Sequence, residues 1–289
     1  MSTAAESATG VRTAVVMTHS IPETEGLRAA VRVARAGGCS LVASAEEAAK
    51  LGEGEAANGL DVVEELPAAP DLCLVLGGDG TILRALRRYA GTPVPVFAVN
   101  FGRIGFLAAV DRDQLEPGLE RAFAGDFEVV QLPGLEIDGV EAAALNDITF
   151  SRLPQGAMAE LAYRLGGEEI GHVRCDGLVA ATPAGSTGYN LANAGPILAW
   201  GVEGYAVSFI APHTLSARAL VAAPRDVLQV RNVGQREAVD IAFDGNRERE
   251  LGVGEEVEVG FRDGVARLAQ LPGQNFYNRM REKFGQLAG

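Results

Sequence analysis

The chain carries the stretch Leu72-Cys73-Leu74-Val75-Leu76-Gly77-Gly78-Asp79-Gly80-Thr81, in which an apolar strand pattern runs into a glycine-rich turn. A helical pattern over residues 82–89 follows the turn. We expect the three glycines to adopt positive φ angles, so that the backbone can approach a ligand closely. The N–H groups that begin the helix then face that ligand, and such groups bind anions. The pattern therefore predicts a turn that handles phosphate.

Asp79 is the unexpected residue of this turn, because a carboxylate repels phosphate. Its presence indicates that it accepts a proton from an attacking hydroxyl or helps to hold a metal ion. A second interpretation is a plain tight turn in which Asp79 or Thr81 caps the helix, since Asp, Gly and Thr are common at such positions. The turn by itself leaves both interpretations open.

Length and composition indicate a globular protein of two domains, since the chain has 289 residues, of which 47% are hydrophobic and 22% charged. The net charge of −13 argues against a nucleic-acid partner, because phosphate backbones are bound by clustered Lys and Arg. No apolar run approaches the roughly 18 residues of a membrane span, and no signal peptide is recognisable. We therefore expect a cytoplasmic protein with no membrane partner.

Two common kinds of site are not predicted by this sequence. Neither lysine, Lys50 or Lys283, follows a glycine-rich loop, which excludes the P-loop of the common nucleoside triphosphatases. No cluster of His, Cys and carboxylate residues has the spacing of a tightly held transition metal.

Strand and helix patterns alternate in the first half of the chain. We expect residues 1–10 to be disordered and an α/β domain to span residues 11–125. Strand patterns cover residues 11–18, 40–43, 72–76 and 94–100, and helical patterns cover residues 23–36, 45–51, 82–89 and 115–125. Such alternation predicts a parallel sheet with helices packed on it.

The character of the sequence changes at about residue 125. Short segments of period-two alternation, separated by glycines, predict an antiparallel β-rich domain over residues 126–269. Phe276, Met280 and Phe284 then recur at helical spacing, so we expect residues 270–289 to return to the first domain with a core-facing helix.

A second glycine-rich segment lies in the β-rich half, from Cys175 to Asn190. An apolar strand over residues 178–181 leads into the loop Thr182-Pro183-Ala184-Gly185-Ser186-Thr187-Gly188, and a helix is expected around residues 189–194. Loops of this kind present backbone N–H groups, hydroxyls and an aromatic ring to a nucleotide. Because the two loops fall in two domains, the sequence predicts a ligand cleft between them.

The ordered set of motifs resembles that of NAD kinases, and the resemblance extends from residue 11 over nearly the whole chain. The matching segments are Gly77-Gly78-Asp79-Gly80-Thr81, Asn100-Phe101-Gly102-Arg103-Ile104-Gly105-Phe106-Leu107, Leu145-Asn146-Asp147, Asp176-Gly177, residues 182–189, residues 211–218 and Asp244-Gly245. The resemblance implies a Rossmann-like α/β domain of the type shared by NAD and diacylglycerol kinases, followed by a β-sandwich domain.

The resemblance also implies a reaction. A phosphoryl group passes from ATP, or in some members from polyphosphate, to the 2′-hydroxyl of the adenosine ribose of NAD, and NADP is formed. Asp79 matches the proposed general base and also contacts the substrate. Mg²⁺ accompanies the donor phosphates and needs no tight protein site. A homodimer or homotetramer is implied as well.

Further site residues follow from matching positions. The resemblance implies that Gly77, Gly78 and Thr81 form the phosphate turn and that Phe106 lies near the adenine side. Arg84 lies one turn into the following helix, so we expect it to face the phosphates. Asn146 and Asp147 hold the NAD ribose. The remaining nucleotide contacts are assigned to Gly80, Arg174, Asp176, Thr187, Gly188, Tyr189, Asn190, Ala192, Ala211 and Asn246.

Several of these positions depart from the common family pattern. Asp147 stands where many members have Glu, which shortens the reach to the ribose and favours a water-mediated contact. Gly188 replaces a common Ala and loosens the loop. Ala192 stands where relatives often have Ser, and Asn246 replaces a frequent Gln.

Three other functions are compatible with parts of the pattern. A lipid kinase of the diacylglycerol or sphingosine type shares the glycine-rich turn, but it needs an apolar or basic surface toward the membrane. A non-catalytic dinucleotide sensor would keep the cleft without turnover, although the intact Asp79 argues against it. A dehydrogenase would need Gly-x-Gly-x-x-Gly after the first strand, and this chain lacks it there.

Overall fold

The computed structural model describes residues 10–19, 24–50, 59–102, 105–214 and 216–285. The predicted disorder of the N-terminus concerns residues 1–10, of which 1–9 lie outside this description, as do Arg103 and Ile104 of one motif. The chain divides into two compact units, one formed by Met1–Val130 with Ala266–Gly289 and the other by residues 131–265.

The described helices and strands alternate in the first half of the chain and are mostly strands in the second half. The first ten are β1 (Thr13–Thr18), α1 (Thr24–Gly37), β2 (Ser40–Ser44), α2 (Ala45–Lys50), β3 (Asp61–Val63), β4 (Leu72–Gly77), α3 (Asp79–Arg88), β5 (Pro95–Asn100), β6 (Val110–Asp111) and α4 (Leu115–Phe123). The next six are β7 (Glu128–Ile137), β8 (Asp147–Arg152), β9 (Ala159–Leu165), β10 (Glu168–Cys175), β11 (Gly177–Ala181) and α5 (Tyr189–Ala192). The last seven are β12 (Tyr205–Ile210), β13 (Leu220–Ala222), β14 (Leu228–Asn232), β15 (Val239–Phe243), β16 (Asn246–Leu251), β17 (Glu256–Gln270) and α6 (Phe276–Phe284).

The first unit is built on a parallel sheet, as the sequence predicts. Its strand order is β17-β5-β4-β1-β2-β3, and every neighbouring pair in this order is parallel. Residues 72–76 are at most 1% exposed, because a parallel sheet is covered on both faces and its strands are continuously apolar. Parallel strands end at one edge, so Thr18, Gly77 and Asn100 lie side by side there.

The second unit consists of two antiparallel sheets around a shared apolar core, which confirms the predicted β-rich half. One sheet has the order β13-β12-β11-β8-β15-β16, and the other has the order β10-β9-β14-β17. Phe150, Tyr205 and Phe243 of the first sheet are fully buried, and so are Val230 and Val259 of the second. Burial alternates along β14 and β15, as period-two patterns require.

The last helix, α6, belongs to the first unit. Asn275 caps it by accepting a hydrogen bond from the N–H of Asn278 at 2.9 Å. Phe276 is 6% exposed, and the ring of Phe284 lies 5.1 Å from that of Phe106. The most buried side chain of the helix is that of Arg279, at 2% exposed, which the apolar spacing did not indicate. None of the helices in the described residues combines the length and the apolar character that crossing a membrane requires.

Candidate functional site

The glycine-rich turn joins β4 to α3 at the edge where the parallel strands end. Helix α3 begins at Asp79, three residues before the expected start at residue 82, and Gly78 is its N-cap with φ −98° and ψ −176°. Neither Asp79 nor Thr81 caps the helix, so the interpretation of the motif as a capped turn is wrong. The carboxylate of Asp79 is bound elsewhere, as described below, and Thr81 is buried.

The expected positive φ angles in this turn are also wrong. Gly77, Gly78 and Gly80 all lie outside the left-handed region. A Cβ atom on Gly77 would lie 2.7 Å from Oγ1 of Thr81, and one on Gly78 would lie 3.6 Å from the Cα atom of Gly102. Gly77 is therefore needed for close packing. Gly105, in contrast, is left-handed at φ +69°, and a Cβ atom there would lie 2.3 Å from Nδ2 of Asn100.

The carboxylate of Asp79 is held by two backbone N–H groups. The N–H of Phe106 donates to Oδ2 at 3.1 Å, and the N–H of Leu107 donates to Oδ1 at 3.2 Å. Asp79 is half-buried, so the residue is partly accessible to solvent. The Phe106 side chain is only 4% exposed, so this residue serves the site through its backbone. Two donors fix the carboxylate plane, which is what a proton acceptor of defined direction requires.

Arg84 lies in an ion pair at the end of β1. Its Nη2 atom donates to Oε1 of Glu47 at 2.7 Å and to the carbonyl oxygen of Thr18 at 2.8 Å. The buried Glu47 also accepts from the N–H of Thr18 at 3.0 Å and from its hydroxyl at 2.8 Å. Arg84 is therefore fixed near the strand edge. Nothing in the sequence pointed to Glu47, because an acid in a short helix normally indicates a solvated face.

The second unit gathers the Asn146-Asp147 pair around Asp244. The carboxylate of Asp244 accepts hydrogen bonds from the N–H groups of Leu145 at 3.1 Å, Asn146 at 2.6 Å and Asp147 at 3.1 Å. Asp244 and Gly245 form the two-residue turn between β15 and β16, with φ angles of 50° and 79°. The sequence signal was the Asp-Gly pair, which is typical of such hairpins. The hydrogen bonds from the N–H groups of residues 145–147 to the Asp244 carboxylate were not predictable from that signal.

The second glycine-rich loop rests on the same residues. The hydroxyl of Thr182 donates to the carbonyl oxygen of Leu145 at 2.6 Å, and its N–H donates to that of Asn146 at 2.9 Å. The N–H of Gly185 in turn donates to Oγ1 of Thr182 at 3.1 Å. A Cβ atom on Gly185 would lie 1.9 Å from the carbonyl oxygen of Asn146. Glycine at position 185 thus permits the loop to lie directly on the Asn146 backbone.

The residues that follow this loop differ in what they can offer a ligand. Tyr189 is 44% exposed, and Gly188 and Ala192 are exposed beside it. Asn190 is fully buried, and its Nδ2 atom donates to the carbonyl oxygens of Ser186 at 3.1 Å and Pro196 at 2.9 Å. The Thr187 hydroxyl donates to the Ala184 carbonyl at 3.2 Å. Tyr189 is therefore available for stacking, whereas Asn190 holds the turn together.

Arg174, Asp176 and Ala211 are brought together where β10 meets β11. The N–H of Asp176 donates to the carbonyl of Ile210 at 2.9 Å, next to Ala211, whose φ is 42°. Both charged side chains have partners, since Arg174 lies 3.2 Å from Glu160 and Asp176 lies 2.6 Å from Arg152. Asn246 closes the turn after Asp244 with long hydrogen bonds of 3.3 and 3.4 Å from Nδ2 to backbone carbonyls.

Burial dominates the electrostatics of Asp147. Burial, with a smaller contribution from the like charge of Asp244, raises the pKa of Asp147 from 3.8 to about 7. The group therefore changes charge near neutral pH, and the sequence offered no sign of this because Asp147 resembles an ordinary turn residue. Within the described ranges, no three His, Cys, Asp or Glu side chains converge as metal ligands.

We expect this raised pKa to make stability depend on pH. The folded state binds a proton at Asp147 more tightly than the unfolded state, so this stabilisation is present below pH 3.8 and is lost as the pH rises through about 7. Each pKa unit of difference corresponds to about 1.4 kcal/mol. Thermal melts of the wild type and of Asp147→Asn at pH 5, 6, 7 and 8 measure the effect. The wild type should lose stability relative to the variant as pH rises, and a constant difference would contradict the assignment.

Comparison with protein families gives two matches, one for each half of the chain. The ATP-NAD kinase N-terminal domain matches residues 12–127, and the ATP-NAD kinase C-terminal domain matches residues 145–269. A protein named NAD kinase from Symbiobacterium thermophilum is 37% identical over 220 residues, which cover 74% of this chain and 78% of the relative. Another from Gemmatimonas aurantiaca is 36% identical over 224 residues, covering 74% and 77% of the two chains.

Two solved structures share the fold. Yeast NADH kinase, crystallised with NADH, superposes with a TM-score of 0.80 at 20% identity, covering 97% of this chain and 89% of the yeast chain. An NAD kinase from Archaeoglobus fulgidus in complex with ATP superposes with a TM-score of 0.72 at 23% identity, covering 96% and 98% of the two chains.

Proposed function

Because this chain belongs to the ATP-NAD kinase family and is a kinase, we propose that it phosphorylates the 2′-hydroxyl of the adenosine ribose of NAD. In this reaction the 2′-oxygen forms a bond to the γ-phosphorus of ATP. The bond from that phosphorus to the bridging oxygen breaks, and ADP leaves. The hydroxyl proton passes to Asp79, which later releases it to solvent. The products are NADP and ADP.

The observation that carries this proposal is the held carboxylate of Asp79. A ribose hydroxyl is a weak nucleophile, so a base must accept its proton as the bond to phosphorus forms. The N–H groups of Phe106 and Leu107 each engage one oxygen of Asp79, at 3.1 and 3.2 Å. Each oxygen keeps a further lone pair for the incoming hydroxyl. Asp79 follows β4 at the N-terminus of α3, where helix N–H groups attract phosphate.

The NAD ribose is assigned to Asn146 and Asp147. The backbone of Asn146 is fixed by Asp244 on one side and by Thr182 on the other, so its side chain projects from a rigid support. An amide oxygen and a carboxylate accept hydrogen bonds from ribose hydroxyls. Tyr189 follows the glycine-rich loop that contains Thr182, and its exposed ring offers a stacking surface for a base.

We propose ATP as the phosphoryl donor, with Mg²⁺ entering as part of the MgATP substrate. The archaeal neighbour was crystallised with ATP, which supports this choice over polyphosphate. Mg²⁺ is commonly bound by one or two carboxylates together with phosphate oxygens, so it neutralises charge between the donor phosphates.

The test is NADP formation by the purified protein from NAD and Mg²⁺, with either ATP or polyphosphate. An NADP-specific dehydrogenase detects the product, and ³¹P NMR distinguishes a 2′-phosphate from a 3′-phosphate. Parallel reactions replace NAD with NADH or with diacylglycerol vesicles. We expect a 2′-phosphate from NAD and ATP. Product from the lipid, or NAD binding without turnover by any donor, would contradict the proposal and favour the lipid kinase or the sensor.

Substitution of Asn146 tests the ribose assignment. Asn146→Ala should raise the KM for NAD about tenfold, because a ribose hydroxyl loses a buried partner at a cost of about 1–3 kcal/mol. The value of kcat and the KM for ATP should stay within about twofold, since the donor and the base are untouched. Steady-state kinetics with each substrate varied in turn gives all three numbers. An unchanged KM for NAD would leave Asn146 with a role in the turn alone.

We also propose a homodimer or homotetramer, following the family resemblance. Light scattering on the purified protein measures this directly, since each chain contributes 30.2 kDa. A mass of one chain at assay concentration would contradict it.

A further inference from the structure

Arg279 of α6 is buried against carbonyl groups of the loop over residues 105–109. It is 2% exposed, and its Nη1 atom donates to the carbonyl oxygen of Gly105 at 3.3 Å. Its Nη2 atom donates to the carbonyl of Ala109 at 3.3 Å and to Oε1 of Gln270 at 3.4 Å. Arginine is almost never fully buried without partners, so these acceptors account for its position.

One peptide group links Arg279 to Asp79. The carbonyl of Gly105 and the N–H of Phe106 belong to the same planar unit. Its oxygen accepts from Arg279, while its N–H donates to Oδ2 of Asp79 at 3.1 Å. Hydrogen bonds in series polarise one another, so the positive charge on the oxygen side makes the N–H a stronger donor. The orientation of this peptide is therefore set from both sides.

Gln270 holds the residue that supplies the second N–H donor. Its Nε2 atom donates to the carbonyl oxygen of Leu107 at 3.0 Å, in the peptide unit that follows the donating N–H. The N–H of Leu107 donates to Oδ1 of Asp79 at 3.2 Å. Gln270 is itself 2% exposed and accepts from Arg279, so the two side chains act as one buried group.

The charges around Arg279 keep it in place. Burial lowers the pKa of its guanidinium, and the carboxylates of Asp111, Glu282 and Asp79 act in the opposite direction. Helix α6 is anchored beside it, because Lys283 lies 3.2 Å from the carboxylate of Asp111. The Phe284 ring packs on that of Phe106. The helix thus contacts the loop through a cation and an aromatic pair, and it contacts β6 through an ion pair.

We propose that Arg279, with Gln270 beside it, is a positioning residue for phosphoryl transfer. Through the peptide between Gly105 and Phe106, it holds the carboxylate of Asp79 in the direction that receives the proton of the acceptor hydroxyl. Arg279 touches no substrate in this role, which rests on the proposed function of Asp79 as general base.

The kinetic test uses Arg279→Met in the full-length protein, with Arg281→Met as the matched control. Arg281 is exposed on the same helix, so its substitution removes an equal charge without touching the loop. In Arg279→Met, kcat should fall about ten- to a hundredfold, because small misplacements of a reacting group have effects of this size. The KM values for NAD and ATP should stay within about twofold.

Arg279→Lys should restore part of the lost kcat. An ammonium can still donate to the Gly105 carbonyl, but it cannot reach the carbonyl oxygens of Gly105 and Ala109 together. A merely structural role predicts instead that kcat follows the melting temperature and that the loss of kcat comes with raised KM values. A folded Arg279→Met with wild-type kcat would overturn the proposal. If that variant does not fold, Gln270→Met decides: lower kcat at unchanged KM supports the proposal, and unchanged kcat overturns it.

Hydrogen exchange separates this proposal from the proposed function, because it needs no turnover. In substrate-free protein, the amides of Phe106 and Leu107 should exchange faster in Arg279→Met than in the wild type, and Arg281→Met should match the wild type. If Arg279→Met exchanges faster but the wild type makes no NADP, the proposed function has failed while the support of the loop by Arg279 stands. NADP formation with unchanged exchange means that the positioning role has failed.

Discussion

Asp79→Asn should lower kcat for NADP formation by about a hundredfold or more, which is the usual contribution of a positioned base. The amide keeps the shape of the carboxylate but accepts no proton at neutral pH. We expect the KM for NAD to change little, because ribose binding is assigned to other residues. The measurement is steady-state kinetics with NAD and ATP varied in turn.

Asp113→Asn is the matched control for this substitution. Asp113 is exposed, and the change removes one negative charge from the same unit without touching the turn. Its kcat should equal that of the wild type. Melting curves establish that both variants are folded, because the amide introduced at position 79 turns an N–H toward backbone N–H groups and costs about 1–3 kcal/mol. Near-normal turnover by a folded Asp79→Asn would remove Asp79 from the role of general base.

Gly185→Ala should lower stability and weaken NAD binding together. The added Cβ atom would lie 1.9 Å from the carbonyl oxygen of Asn146, so the loop must move away from residues 145–147. Overpacking of this kind costs about 1–3 kcal/mol, or more where backbone is the obstacle. Each kcal/mol lowers the melting temperature of a protein of this size by about 2–4 °C. The KM for NAD should rise, because Tyr189 and Asn146 lose their relative positions.

Gly201→Ala separates this clash from the general effect of adding a methyl group. Gly201 is exposed, and a Cβ atom there would meet no atom within 4 Å. That variant should melt at the wild-type temperature or slightly above it, because alanine reduces the freedom of the unfolded chain. If Gly185→Ala keeps both its melting temperature and its KM, the contact between the loop and Asn146 does not organise the ribose site.

The apolar patterns predicted the parallel sheet because both of its faces are buried. Residues 72–76 are buried on both faces and are all apolar, so the sequence predicts this strand without information on the neighbouring strands. The same holds for β14 and β15, whose alternation follows from one buried face. Wherever burial is a property of a single element, the sequence carried enough information.

The conformation of the glycine-rich turn was not predictable in the same way. Asp, Gly and Thr suit caps, left-handed turns and close packing equally well, so local preference leaves the choice open. The conformation is decided by Phe106 and Leu107, whose N–H groups bind the Asp79 carboxylate from 27 and 28 residues further along the chain. Position 77 has no room for a larger residue, because the side chain of Thr81 packs against it.

Arg279 and Asp244 show what remains hidden from the sequence. Arginine on a helix is expected to face solvent, and only the gathering of the Gly105 and Ala109 carbonyls makes its burial favourable. An Asp-Gly pair predicts a hairpin turn, but not three N–H donors from residues 145–147 that lie almost a hundred positions earlier. Both side chains bind backbone groups, and every residue type has these groups, so the sequence does not show which of them will be the partners.

The first unit is discontinuous along the chain, since Ala266–Gly289 joins Met1–Val130. A ribosome therefore makes the whole of the second unit before it makes the end of β17, residues 267–269, that pairs with β5, and the helix that carries Arg279. Domains generally fold as they emerge, N-terminal part first. Here the glycine-rich turn emerges early, whereas Arg279 follows Gly105 by 174 positions. A nascent chain therefore holds Asp79 long before it holds the side chain that we propose to position its carboxylate.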